Sequence, residues 1–268
     1  GENYQELAKT FNPLGAMFGI IDRLDLLVGA FGSGIDPTGS QDPYALRRAA
    51  GSIVKIVRAF RFHFSLTEMT EKIAEFYGAS LSVAKADWTK RLRAFLQERV
   101  VFELGVKPGT RPHEILQAVF ASSFDDLADV YDRFEQLERL YRSDSAAFFK
   151  AAKVVERTAN ILKGVKQFAF QEIRQDLFET SDERNLFRLL EETGKTVTTH
   201  LQARAYDKAT AAFGRIFQEP LNAFFDKILV NAEVADIRTN RQLLMLKINR
   251  LYTEKSADLS LLSRLDQE

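Results

Sequence analysis

The sequence contains no cysteine and only three histidines among its 268 residues. Disulfides, thiolate metal sites and cysteine nucleophiles are therefore excluded. The histidines His63, His113 and His200 are followed by Phe, Glu and Leu, so none forms the His-Asp doublet of a dinuclear hydrolase. Asp22 and Asp25, in an otherwise apolar segment, could be metal ligands or structural hydrogen-bond acceptors, and we expect no working metal site.

The sequence also lacks the motifs of common nucleotide-dependent and hydrolytic enzymes. It has no P-loop, no dinucleotide-binding glycine fingerprint and no nucleophile elbow. No apolar run approaches the roughly 18 residues of a membrane-spanning helix. It shows no signal peptide and begins Gly1-Glu2-Asn3 rather than with methionine, so we expect it to be a piece of a longer protein.

Apolar residues recur at spacings of three and four along most of the chain, without the alternation of strands. This pattern predicts an all-α fold of packed helical bundles. Capping-box patterns at Ser65 and Thr180 indicate two helix starts, Asp42-Pro43 and Glu219-Pro220 indicate two more, and Gln218–Pro220 is predicted to be a loop. The predicted helices span about residues 14–31, 43–63, 67–77, 83–103, 112–121, 125–142, 144–164, 182–200, 203–217, 220–231 and 235–256.

The 37 basic and 37 acidic residues balance, which by itself argues against a nucleic-acid partner, but the charges are segregated. Residues 43–67 contain five basic residues and no acid, and residues 146–170 contain five basic residues and one acid. Residues 125–144 between them are acidic. Because the charge changes at this stretch, we predict one helical region over residues 1–143 and another over residues 144–268.

Two predicted helices gather basic residues on one side. At about 100° per residue, the arginines and lysine of residues 47–61 fall in one arc, and Lys150, Lys153, Arg157 and Asn160 share a narrower one. A solvated surface helix would explain either pattern, although such surfaces usually mix both signs. The functional alternative is an RNA-binding face, because lysine suits phosphates and Arg and Asn can also bond base edges.

Four stretches resemble one known family. The segment IIDRLDLLVGAFGSGIDPTGSQDPYALRRAAGSIVKI (Ile20–Ile56) closely resembles the β subunit of bacterial-type heteromeric glycyl-tRNA synthetase, which has D-x-L-D-x-L-V-G followed by P-T-G-S-x-D-P-[FY]-A-L-R-R-A-A. Later elements of that family are similar to KRLRAFLQE (Lys90–Glu98), VVERTANILK (Val154–Lys163) and EPLNAFFDKILVNAEVADIRTNRQLLMLKI (Glu219–Ile248). The resemblance spans almost the whole chain, in the expected order.

The resemblance implies a cytoplasmic aminoacyl-tRNA synthetase subunit that binds glycine tRNA and has no membrane or DNA partner. In that family the α subunit carries the ATP, magnesium and adenylate chemistry, so we expect no cofactor, metal or catalytic residue in this chain. An incomplete HD-like helical region is expected first, followed by a helical anticodon-binding domain. A structural scaffold for subunit assembly and a degenerate HD phosphohydrolase are the alternatives.

Candidate tRNA-binding residues follow from these patterns. Glycine anticodons share two cytosines, whose acceptor atoms suit Arg or Asn donors. The alternative for the asparagines and the later arginines is that they cap or cross-link helices and pair with Asp236 or Glu233. Phe224 and Phe225 are predicted to be core residues rather than a base-stacking platform. The candidates are Arg47, Arg48, Lys150, Lys153, Arg157, Asn160, Lys163, Arg238, Asn240 and Arg241.

Overall fold

The computed structural model describes residues 4–10, 12–37, 42 and 44–263. These residues form α-helices, short 3₁₀ turns and loops, with no β-strand among them, which confirms the predicted all-α class. No helix in these ranges is both long enough and apolar enough to cross a membrane. The helices are α1 Tyr4–Thr10, α2 Pro13–Gly32, α3 Leu46–Phe60, α4 Leu66–Tyr77, α5 Lys85–Leu104, α6 Arg111–Ser122, α7 Leu127–Ser143, α8 Ser145–Leu162, α9 Ser181–Glu192, α10 Gly194–Gln202, α11 Tyr206–Lys227 and α12 Ala235–Thr253.

The chain divides into two compact units. Unit 1 comprises Gly1–Pro108 and Phe124–Tyr131, and unit 2 comprises Gly109–Ser123 and Asp132–Glu268. The boundary predicted after residue 143 therefore falls inside unit 2. The acidic stretch before it belongs to a core helix rather than to a linker, because Phe134, Leu137 and Leu140 of α7 are buried.

Unit 1 is built around α2, which packs against α3, α4 and α5. Leu24, Leu27 and Val28 of α2 and Ile53 and Val57 of α3 are fully buried. These positions follow the three-and-four spacing seen in the sequence, so each helix turns one apolar side toward the core.

The start of α3 differs in detail from the prediction. Asp42 does cap the helix, because its two carboxylate oxygens accept hydrogen bonds from the backbone nitrogens of Leu46 at 2.7 Å and Arg47 at 3.1 Å. The helix itself begins at Leu46, after Ala45 at φ 56°, rather than near residue 43. The predicted role of Pro43 lies outside the described residues.

Unit 2 has α8 at its centre, packed against α11 and α12. Phe148 and Val155 of α8 and Phe213 of α11 are fully buried. The two helices come unusually close at Gly214, where an added Cβ would lie 2.6 Å from the backbone nitrogen of Ala151. Because any larger side chain would collide with backbone there, glycine is required for this approach.

Both predicted capping boxes mark real helix starts. At α9 the backbone nitrogen of Glu183 donates to the Thr180 hydroxyl at 3.3 Å, and the Glu183 carboxylate accepts from the Thr180 backbone nitrogen at 2.8 Å. At α4 the Ser65 hydroxyl accepts from the Glu68 backbone nitrogen at 3.0 Å. Side chains therefore satisfy part of the hydrogen-bonding need of both helix ends.

Three other features of the helix pattern were predicted wrongly. Pro220 lies inside α11, so neither the loop at Gln218–Pro220 nor a helix start there exists. The helix continues through the proline because Phe217, Leu221 and Phe224 are all buried on one side of it, and this burial outweighs the lost backbone hydrogen bond. The single helix predicted over residues 182–200 is divided into α9 and α10 near Thr193, and α1 was not predicted.

Candidate functional site

The predicted residues of α12 hold the structure of unit 2 together. The Asn240 side chain is fully buried and bonds both the backbone nitrogen and the carbonyl oxygen of Arg174, at 2.7 and 2.9 Å. Arg238 donates to the carbonyl oxygens of Ala232 at 2.8 Å and Glu233 at 3.3 Å. These contacts fix the loop between α11 and α12 and the segment before α9.

Arg241 forms a largely buried ion pair. Its guanidinium donates to Glu183 at 2.8 Å, to Glu179 at 2.8 Å and to the Leu229 carbonyl oxygen at 3.0 Å. Burial raises the pKa of Glu183, but hydrogen bonds from Arg241 and Thr180 and the arginine charge outweigh it, so the pKa lies below its usual range. The partners are Glu179 and Glu183 rather than the Asp236 or Glu233 considered from the sequence.

RNA binding by Arg238, Asn240 and Arg241 stays a prediction, but the structure shows what such binding would require. The donors of Asn240 and Arg241 are already engaged within unit 2. Any contact with a base edge would have to break these hydrogen bonds, and leaving buried polar partners unpaired costs about 1–3 kcal/mol for each group.

The second half of α8 presents a mixture of engaged and exposed candidates. Arg157 donates to the Asn222 side chain at 2.5 Å and lies over the Phe225 ring, 4.6 Å from its centroid. Asn160 is exposed, and so is Lys163, which directly follows the last residue of the helix. Phe224 is fully buried, as predicted for a core residue. Phe225, which was also predicted to be a core residue, is only half-buried and lies beneath Arg157.

The first half of α8 borders two clefts in unit 2. Cleft A has a volume of about 650 Å³ and is lined by Lys150 and Lys153 of α8, Tyr141 and Arg142 of α7, and Gln218 of α11, among others. Lys150 is exposed and Lys153 is half-buried. Arg142 is paired with an acid of its own helix at 2.6 Å, which partly offsets its charge.

Cleft B lies between α8 and α11. It has a volume of about 460 Å³, and its polar lining consists of Asp144, Lys150, His200, Lys208 and Arg215. Since Lys150 lines both clefts, A and B are neighbouring parts of one surface. Lys208 and Arg215 were not among the predicted residues, because a helix carrying two cations seven positions apart gives no separate signal in the sequence.

The cations of these clefts are largely uncompensated. Within the described residues, Lys150, Lys153, Lys208 and Arg215 form no ion pair and no side-chain hydrogen bond. Asp144 is the acid in the combined lining, and it also caps α8 through the Ala147 backbone nitrogen at 3.0 Å. This surface therefore offers positive charge to a ligand without first breaking internal pairs.

The predicted basic side of α3, in unit 1, is only partly available. Arg47 is half-buried and Arg48 is exposed, and neither guanidinium is paired with a described residue. Further along, Arg58 donates to a backbone carbonyl oxygen of α5 at 3.4 Å. Arg58 and Arg61 both lie over the ring of Tyr131, at 5.7 and 5.6 Å. Among the described residues of α3, Arg47 and Arg48 at its start are the basic side chains best placed to bind an anion.

The residues considered for metal chemistry do not come together. Asp25 accepts a hydrogen bond from the Tyr77 hydroxyl at 3.2 Å, and Asp22 lies 3.9 Å from the Arg23 guanidinium. His63 pairs with Asp126 at 2.8 Å. Among the described residues, no group of three or more His, Asp or Glu side chains could hold a metal ion.

Comparison with known proteins gives consistent matches. Residues 3–121 match the family described as glycyl-tRNA synthetase beta subunit. The chain is similar to the glycine–tRNA ligase beta subunit of Moorella thermoacetica, with 35% identity over 240 residues, covering 88% of this chain and 34% of the relative. It is also similar to the glycine–tRNA ligase beta subunit of Dichelobacter nodosus, with 34% identity over 259 residues, covering 94% of this chain and 35% of the relative. With the glycine–tRNA ligase beta subunit of Trichlorobacter lovleyi the identity is 31% over 240 residues, covering 90% of this chain and 34% of the relative. The chain thus spans about a third of the length of the curated relatives that it matches.

Proposed function

Because this chain belongs to the glycyl-tRNA synthetase β subunit family, we propose that it is a tRNA-binding, non-catalytic part of a glycine–tRNA ligase. It recognises glycine tRNA, including the anticodon stem-loop, for aminoacylation carried out together with an α subunit. The observation that carries this proposal is the similarity to curated β subunits over about 90% of the chain.

The chemistry of unit 2 supports a nucleic-acid partner. Phosphate groups are bound by lysine and arginine side chains, and the affinity comes largely from counterion release. Lys150, Lys153 and Asn160 of α8, and Lys163 directly after its end, form no ion pair with a described residue. A row of this kind can contact an RNA backbone without disturbing the fold, unlike the engaged arginines of α12.

The same proposal assigns the catalytic chemistry and the tRNA binding to different subunits. ATP, magnesium and adenylate chemistry belong to the α subunit, and this chain supplies none of them. Purified alone, it should therefore support no glycine-dependent ATP–pyrophosphate exchange and no phosphoester hydrolysis. Metal-dependent nucleotidase activity that disappears in Asp22→Ala would favour the degenerate hydrolase instead.

The proposed function is tested by titrating the chain with glycine tRNA. The comparison molecules are a non-cognate tRNA and a glycine tRNA in which the two shared anticodon cytosines are replaced. Each misread base typically costs about 1–3 kcal/mol, so we expect about tenfold or greater preference for the unchanged molecule. Salt-independent or absent binding would overturn the proposal and would favour a structural scaffold.

A further inference from the structure

The linings of clefts A and B combine cations with small side chains. Ala146 lines both clefts, and Ala147, Ala211 and Ala212 line cleft B. Gly214 lets the backbones of α8 and α11 approach closely beside them. The short alanine side chains of cleft B leave room between the charged groups of its lining.

The two walls of cleft B come from different helices. Lys150 stands on α8, and Lys208 and Arg215 stand on α11, nearly two helical turns apart. Seven residues correspond to about 10.5 Å of helix at 1.5 Å per residue. An extended polyanion can therefore meet cations from both helices along the length of the cleft.

Cleft A carries neutral hydrogen-bonding groups beside its lysines. The Tyr141 hydroxyl and the Gln218 amide form no hydrogen bond with any described residue. A hydroxyl and an amide each offer both a donor and an acceptor. The ribose 2′-hydroxyl has the same dual character, and it is the group by which a protein distinguishes RNA from DNA.

We propose that clefts A and B form one binding channel for an RNA backbone. The cations of cleft B and Lys153 contact successive phosphates, Tyr141 and Gln218 contact ribose hydroxyls, and Lys150 joins the two parts. This inference rests on the proposed tRNA-binding function and assigns it to a surface that includes α7 and α11 as well as α8. It adds Tyr141, Lys208, Arg215 and Gln218 to the residues predicted from the sequence.

The first experiment measures the affinity for a glycine tRNA transcript as a function of salt concentration. The variant combines Lys150→Gln, Lys208→Gln and Arg215→Gln in the full 268-residue chain. The salt slope is the change in the logarithm of the binding constant per tenfold change in salt concentration. Each lost phosphate contact makes this slope smaller by about 0.7–0.9, which corresponds to about four- to sixfold weaker binding at 0.15 M salt. The triple variant should bind about 50- to 170-fold more weakly, and its salt slope should be smaller by about two to three units.

The matched control changes the same kind of charge elsewhere in unit 2. Lys195 and Lys255 are exposed, lie outside the linings of both clefts and have no ion pair with a described residue. The double variant Lys195→Gln, Lys255→Gln should change the affinity less than twofold. Thermal unfolding followed by circular dichroism should be unchanged in both variants, because all five side chains are exposed.

The second experiment tests the ribose contacts with tRNA and an all-deoxy molecule of the same sequence. Tyr141→Phe and Gln218→Ala should each lower the affinity for RNA about fivefold, the value of one hydrogen bond of ordinary strength. Both should leave the affinity for the deoxy molecule unchanged. A merely structural role would weaken both nucleic acids equally and would overturn this part of the assignment.

The outcomes separate the channel from the proposed function. If the unmodified chain binds glycine tRNA and the triple variant binds equally well, the channel is wrong and the function stands. Equal losses in the triple variant and the control would also overturn the channel. If the unmodified chain does not bind glycine tRNA, the proposed function is wrong, and the RNA-binding channel that rests on it is wrong as well.

Discussion

Replacing Arg241 by alanine should destabilise unit 2 by about 3 kcal/mol. The Arg241 side chain is 8% exposed, and the side chain of its main partner, Glu183, has no exposed surface. Without the guanidinium, a buried carboxylate loses its countercharge, which typically costs about 3–5 kcal/mol. We expect the lower end of this range, because one Glu183 oxygen keeps its hydrogen bonds from Thr180 and from the backbone nitrogen of Glu179.

The same substitution should change how stability depends on pH. The lowered pKa of Glu183 means that the unfolded chain takes up its proton first as the solution is acidified. The contribution of Glu183 to the free energy of unfolding is therefore complete above the ordinary glutamate pKa, and it is lost as the pH falls through the lowered pKa. Arg241→Ala removes the largest influence that lowers this pKa, so the stability difference between the two proteins should shrink in acid.

The assay is urea denaturation followed by far-ultraviolet circular dichroism, at neutral and acidic pH. The fluorescence of Trp88, the single tryptophan, follows unit 1 separately. Arg188→Ala is the matched control, because that arginine pairs with Glu192 on the surface of α9 at 3.2 Å. An exposed pair of this kind contributes only about 0.3–0.5 kcal/mol. A free energy of unfolding for Arg241→Ala that matches the control would refute the reasoning.

Three further predictions test other features of the fold. Gly214→Ala should lower the free energy of unfolding by about 1–3 kcal/mol because the core becomes overpacked. Gly51→Ala, in a helix with open space around it, should raise it by about 0.5–1 kcal/mol. Both are measured by thermal unfolding, and equal effects would contradict the close approach of α8 and α11. Burial raises the pKa of Tyr252 to about 12, so in an alkaline absorbance titration this phenol should ionise last, and stability should fall as pH rises above about 10. Ionisation of all tyrosines near pH 10 would contradict that burial. Thr180→Ala removes the hydroxyl of the α9 capping box and should lower the free energy of unfolding by about 1 kcal/mol in urea denaturation, whereas an unchanged value would show that the cap is dispensable.

Helix type and capping could be predicted from the sequence because they depend on nearby residues. Apolar spacing within one helix and the reach of a Thr180 or Ser65 side chain are local properties. The continuation of α11 through Pro220 is not local, since it depends on the burial of Phe217, Leu221 and Phe224 in the assembled core. A local rule for proline placed a boundary there, and tertiary packing overrode it.

The candidate site shows the same limit. The row on α8 could be predicted because its members recur on one side of a single helix. The channel depends on Lys208 and Arg215 of α11, which are far from most of α8 in the sequence and come beside it because the two helices pack together, with a close approach at Gly214. Asn and Arg side chains suit the recognition of RNA bases as well as they suit internal hydrogen bonding. Only the burial and the hydrogen-bond partners of Asn240 and Arg241 reveal that they have a structural role.

The way in which α12 holds its neighbours has a consequence for how this protein can change over generations. Arg238, Asn240 and Arg241 hold the adjoining loops largely through main-chain atoms, namely carbonyl oxygens and one amide nitrogen. A main-chain atom is present whatever amino acid occupies the position. The loops can therefore exchange their outward side chains, such as Leu229 and Val234, which are 70% and 57% exposed, while their course in space is preserved. Natural variation at these positions should be wide, and selection on α12 should be strict.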